Sequence, residues 1–107
     1  DNTTVFLAND PDEACRRMAP FFLHEMNAYG AWQAQDGVAT QYRTTLDTDE
    51  LRATGQYRVI TPEQMVDELR ALPMPFHMFH PMCGGMPVDL AWTSMRLFAE
   101  RVLPAFA

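Results

Sequence analysis

His77, His80 and Cys83 follow one another at intervals of three, and imidazole and thiolate are donors that zinc favours. The local pattern works against their convergence. Phe76-His77-Met78-Phe79-His80 reads as a strand, in which residues three apart point to opposite faces. The two histidines meet at one ion only if the strand ends between them. Met74, Met78, Met82 and Met86 recur every four residues, a spacing that on a helix would offer thioethers to a soft metal such as Cu(I). Prolines at 73, 75, 81 and 87 exclude a continuous helix there, so pliable core filling is the better account. No metal site is expected. A nucleophilic Cys83 needs a paired base, and none is visible, which favours a small buried thiol. Gly84-Gly85 before a helix either lets backbone amides approach a phosphate or forms a tight turn at positive φ. His24 and Glu25 are an acid and base by type, but neighbours on a helix do not face each other. Asp10, Asp12 and Glu13 read as helix-start chemistry rather than a metal site.

Three strand-helix units position these residues. Thr3-Thr4-Val5-Phe6-Leu7-Ala8 is β-branched, then apolar, and reads as a buried strand. Asp10 caps the next helix, Pro11 takes its first position and Glu13 the capping-box position. That helix carries Ala14, Cys15, Met18, Phe21, Phe22 and Met26 at helical spacing and fades near Gly30. Pro20 should kink or divide it. Phe21, Phe22, Tyr29 and Trp32 suit a core better than a cofactor box. Residues 33–56 are mostly polar and read as an excursion with one helical turn near Asp49-Glu50-Leu51-Arg52. Tyr57-Arg58-Val59-Ile60 is the second strand. Thr61-Pro62-Glu63-Gln64 repeats the cap grammar, with Ile60 and Met65 placed for a hydrophobic staple. Met65, Val66, Leu69 and Leu72 form the buried stripe, and Pro73 and Pro75 stop the helix. After the third strand and the 81–86 loop, Pro87 opens the last helix. Val88, Ala91, Trp92, Met95, Phe98, Ala99, Val102, Leu103 and Phe106 give it one wide apolar stripe, with Asp89, Thr93, Arg96, Glu100 and Arg101 opposite.

Strand-helix alternation implies an α/β fold with parallel strands and right-handed crossovers. The 107 residues amount to a single partial domain: 1–32 strand-helix, 33–56 excursion, 57–74 strand-helix, 75–107 strand-helix. The net charge is −6, and all eight bases are scattered arginines. That balance argues against nucleic acid or an anionic membrane as partner. Two cysteines, Cys15 and Cys83, support neither a disulfide framework nor a zinc ribbon and fit free thiols in a reducing cytoplasm. No basic-then-apolar leader is visible, and no apolar run approaches the roughly 20 residues that span a bilayer.

Tyr57-Arg58-Val59-Ile60-Thr61-Pro62-Glu63-Gln64-Met65-Val66 resembles the strand-Thr-Pro-Glu-helix unit of luciferase-like flavin-dependent oxidoreductases, with Ile60 where that family commonly has Gly. His80-Pro81-Met82-Cys83-Gly84-Gly85-Met86-Pro87, then Leu90-Ala91-Trp92 and Leu97-Phe98-Ala99-Glu100-Arg101-Val102-Leu103-Pro104, is similar to the family's carboxyl end. There a His-Pro-Leu-Cys-Gly-Gly-Leu-Pro loop precedes a Leu-Phe-Ala-Glu-Lys-Val-Leu-Pro helix. Val5 to Ala14 resembles an earlier strand and acidic helix start.

The resemblance implies the carboxyl-terminal part of a (β/α)₈ TIM barrel that binds FMN or a deazaflavin and oxidises a small organic substrate. Such barrels need about 250 residues, so this segment is expected to be inactive and flavin-free alone. His80, at the carboxyl end of a barrel strand, would orient substrate or transfer a proton, or else simply cap a loop. Met82 and Cys83 would line the substrate pocket, and Gly84 and Gly85 would approach the cofactor. The expected partner is the remainder of the barrel or a second copy of the chain. Helices on one side only would leave a sheet face bare, so the chain should either self-associate through that face or pack helices on both sides. Two other readings stand beside the enzyme: a non-catalytic, self-associating α/β module, and a small metal-binding protein.

Overall fold

The computed structural model describes residues 4–35, 48–74 and 84–106. It is a mixed α/β fold, mostly helical, with two parallel strands. The expected third strand at 76–80 and the loop at 81–83 lie outside the described residues, as do residues 36–47.

β1 (Thr4–Leu7) pairs in parallel with β2 (Tyr57–Ile60), in the register Thr4 to Tyr57 and Leu7 to Ile60. Side chains alternate across this pair, so Phe6 and Tyr57 face one way and Leu7 and Ile60 the other. α1 (Pro11–Gln35) and α2 (Thr48–Thr54) cover the first face. Met18, Ala19, Phe22, Met26 and Leu51 join Phe6 and Tyr57 there in one buried cluster. Phe22 lies 5.4 Å from the Phe6 ring and stacks on Tyr57 at 4.8 Å. α3 (Pro62–Arg70) covers the second face, where Met65, Val66 and Leu69 pack on Leu7 and Ile60. Of the two solutions open to a bare sheet, the chain adopts helices on both sides. Burying a large apolar side chain is worth about 1.5–3 kcal/mol, so each face repays its covering.

α4 (Val88–Leu97) closes the outer edge of β1. Its Ala91 joins the first cluster, while Leu97 and Phe98 pack on the second. A single π-helical turn, Phe98–Val102, and a 3₁₀ turn, Leu103–Phe106, complete it. Val102 is fully buried against the α3 face.

Several elements depart from expectation. α1 continues through Pro20 to Gln35. Pro20 removes the amide that Arg16 would accept, but both residues are exposed, so water can serve that carbonyl. The helical turn inside the excursion is a seven-residue helix. Leu72 falls beyond the end of α3 and is 45% exposed rather than part of its stripe. Gln64 does not complete a capping box; its amide donates to Glu68 instead. The wide stripe of the last helix is split. Ala91 and Val102 are buried, whereas Val88, Trp92, Leu103 and Phe106 are exposed. The two strands among the described residues are too narrow to cover so broad an apolar arc. Among the described residues, no helix is long and apolar enough to cross a membrane.

Candidate functional site

Parallel α/β sheets place their chemistry where the strands end and the helices begin. Here both strands end beside each other. Asp10 caps α1, its carboxylate accepting the Glu13 amide at 3.2 Å. Thr61 caps α3, its hydroxyl accepting the Gln64 amide at 3.1 Å. Proline occupies the first position of both helices, where its missing amide costs nothing. Two helix amino ends thus lie at the carboxyl end of the sheet, each already served by its own cap.

Arg101 reaches this end from the π-helical turn. It donates to Asn9 Oδ1 at 2.5 Å and to Glu63 Oε1, tying together the segments that follow β1 and β2. Within the same turn Arg101 is exposed while its neighbour Val102 is buried in the core. With a carboxylate and an amide oxygen already on its guanidinium, the group acts as a clip.

An open cleft of about 250 Å³ runs beside β2, lined by Cys15, Arg52, Gly55 and the β2 residues Tyr57–Ile60. Cys15 is a buried free thiol. Both arginines there are engaged. Arg52 donates to Asp12 at 3.1 Å. Arg58 forms a fork with Glu68, two bonds of 2.8 Å. The bonded Arg58 guanidinium holds the Glu68 carboxyl below the usual range, and Glu68 in turn raises the Arg58 pKa. Tyr57 donates its phenol to Glu25 at 2.7 Å. None of the described residues lining the cleft is a base able to activate the thiol.

Of the site residues expected from the sequence, His80, Met82 and Cys83 lie outside the described residues, as does His77. Gly84 and Gly85 form a turn with φ of +59° and +77°. Gly84 abuts α1: a Cβ there would stand 2.1 Å from the carbonyl oxygen of Phe21. An acceptor oxygen in that position would repel phosphate oxygens. Gly85 has open space around it. His24 is exposed while Glu25 serves Tyr57, so the two do not act as a pair. Among the described residues, no group of three or more His, Cys, Asp or Glu side chains could hold a metal ion.

Two positions escaped sequence reasoning. Arg101 sits on the polar side of its helix and reads as a solvated charge. Ser94 is polar, yet it falls within the buried arc between Ala91 and Leu97, and its hydroxyl accepts the Leu7 amide at 2.8 Å. A lone serine inside an apolar arc was the available signal. A scan against protein-family models, a search of curated proteins and a search of solved structures each gave no match.

Proposed function

We propose that this chain is the carboxyl-terminal part of a luciferase-like flavin-dependent monooxygenase or related oxidoreductase, inactive as an isolated segment. The observation that carries the reading is the unit from Tyr57 to Val66. Its Thr-Pro-Glu sequence carries the resemblance jointly with the His80–Gly85 tail, and it forms a strand, a threonine cap and a proline-started helix. A parallel neighbour, β1, enters its own helix in the same way through Asp10-Pro11, which supports repeated strand-helix units.

A bound flavin, FMN or a deazaflavin, would supply the oxygen and electron-transfer chemistry. The described residues do not fit a flavin by themselves. Phe21 fills the space at Gly84, and the guanidiniums of Arg52, Arg58 and Arg101 are all engaged. The reading therefore assigns flavin binding to the remainder of the barrel. This chain supplies strands of the sheet, their ends tied together by Arg101. His80 is the proton-transfer or orienting residue, Met82 and Cys83 face a small organic substrate, and the protein works in the cytoplasm. The test is a titration of the full-length protein with FMN and with a deazaflavin, followed by turnover of His80→Ala. Flavin binding with reduced turnover in the variant supports the reading. Failure to bind either flavin overturns it.

A second reading, a non-catalytic self-associating module, is favoured by one observation. Val88 and Trp92, four residues apart on α4, are 69% and 58% exposed. Concentration-dependent association of the 107-residue chain, weakened by Trp92→Ser, would support it.

A further inference from the structure

Residues 98–106 are bonded and buried unlike the helix that precedes them. A π turn is followed by a 3₁₀ turn, whose hydrogen bonds are poorly aligned, and Pro104 has no amide to donate. The Leu103 amide donates to Phe98 O and closes the π turn. Val102 is fully buried and Phe98 half-buried, while every other residue of the segment is exposed. The remaining contacts are cationic and lie at the two ends of α3. Arg101 donates to Glu63 in its first turn and to Asn9 beyond β1. Arg70, in its last turn, lies over the Phe106 ring, 5.8 Å from the centroid. The segment thus runs along α3 from start to end, with Val102 set between the tethers among Leu7, Ile60, Val66 and Leu69. The Arg101 and Glu63 side chains are 42% and 64% exposed, and exposed ion pairs are weak and screened by salt. α4 is fixed separately: Ala91 and Ser94 are buried, and Ser94 accepts the Leu7 amide at 2.8 Å.

We infer that residues 98–106 form a releasable strap. They lift from α3 as one unit, hinging where α4 gives way to the π turn, while α4, α3 and the strand pair stay folded. One buried valine and two surface contacts are set against the entropy of ordering the whole segment, which places it at the low-stability end of the fold. Release takes Val102 out of the groove of Leu7, Ile60, Val66 and Leu69 and frees Asn9 and Glu63 at the strand ends. The strap is the groove's own occupant, and ionic strength sets how often it is seated.

Amide-resolved hydrogen exchange on the 107-residue chain tests this, at low salt and at about 1 M sodium chloride, where the screening length falls to about 3 Å. Leu103 and the other protected amides of the segment share one protection factor. It is about tenfold or more below that of Ala8, whose amide is held by the Ile60 carbonyl at 3.0 Å. Salt and Arg101→Gln each raise exchange in the segment roughly two- to fivefold, the loss of one exposed ion pair, and leave Ala8 unchanged. Segment amides that exchange at the Ala8 rate open only with the whole fold and overturn the strap. Rates that climb steadily from Val102 to Phe106 are fraying, not release of a unit, and overturn it too. Both of these outcomes are read in the unmodified chain. An Arg101→Gln chain with unchanged exchange in the segment, or with an equal rise at Ala8, overturns Arg101 as the fastener of an independent strap.

Discussion

Replacing Gly84 with alanine should destabilise the chain far more than the same change at Gly85. Both glycines have positive φ, +59° and +77°, where a Cβ costs about 1–2 kcal/mol. Only Gly84 meets an obstacle. Its new Cβ would lie 2.1 Å from Phe21 O and 2.9 Å from Phe21 C, both atoms of helix backbone. A flexible side chain could swing aside, but the middle of α1 cannot move without disturbing Met18 and Phe22 in the core. Overpacking of that kind adds about 1–3 kcal/mol. Gly84→Ala should therefore lose roughly 2–5 kcal/mol in total, and Gly85→Ala only about 1–2 kcal/mol. Losses of the larger size are a substantial fraction of the roughly 5–15 kcal/mol that holds a domain folded. Urea denaturation of the two variants, followed by circular dichroism, measures the difference as a shift in midpoint at constant slope. Equal losses at the two positions would refute the contact between the turn and α1.

Three further outcomes follow from the same geometry. Thr61→Ala removes the cap of α3 and should cost about 1 kcal/mol in the same assay. Glu68 has a lowered pKa beside Arg58, so its stabilisation is present above the ordinary glutamate range and is lost as pH falls through the lowered value. Glu68→Gln should accordingly flatten the acid side of the stability-versus-pH curve. The effect should be small and salt-sensitive, because both side chains are more than a third exposed. Phe22→Ala should cost about 3–5 kcal/mol, whereas Trp92→Ser should stay within about 0.5 kcal/mol, which thermal melts can check.

What could be read from the sequence was set by local chemistry. Asp10-Pro11 and Thr61-Pro62 announce helix starts because caps and proline act within one turn, and both helices begin there. Ile60 and Met65 share a cluster, as the staple requires. The parallel pairing followed from strand-helix alternation. Pro20 does not divide α1, because water can reach the carbonyl it frees, which is a property of the fold. The last helix misled for a similar reason: periodicity gives the width of an apolar stripe, not the width of the surface available to cover it. Val88 and Trp92 therefore read as core and lie in solvent. Ser94 and Arg101 act across 87 and 92 residues of sequence, on Leu7 and Asn9, and no local pattern encodes a partner so far away. At the candidate site, the glycines were legible as a positive-φ turn, while the carbonyl of Phe21 beside Gly84 belongs to tertiary packing.

The luciferase-like reading is tested most directly by native mass spectrometry of the protein as the cell makes it. The account predicts a polypeptide of about 250 residues or more, the size of a complete barrel, with FMN or a deazaflavin bound. A flavin-free species built only of 107-residue chains would contradict it.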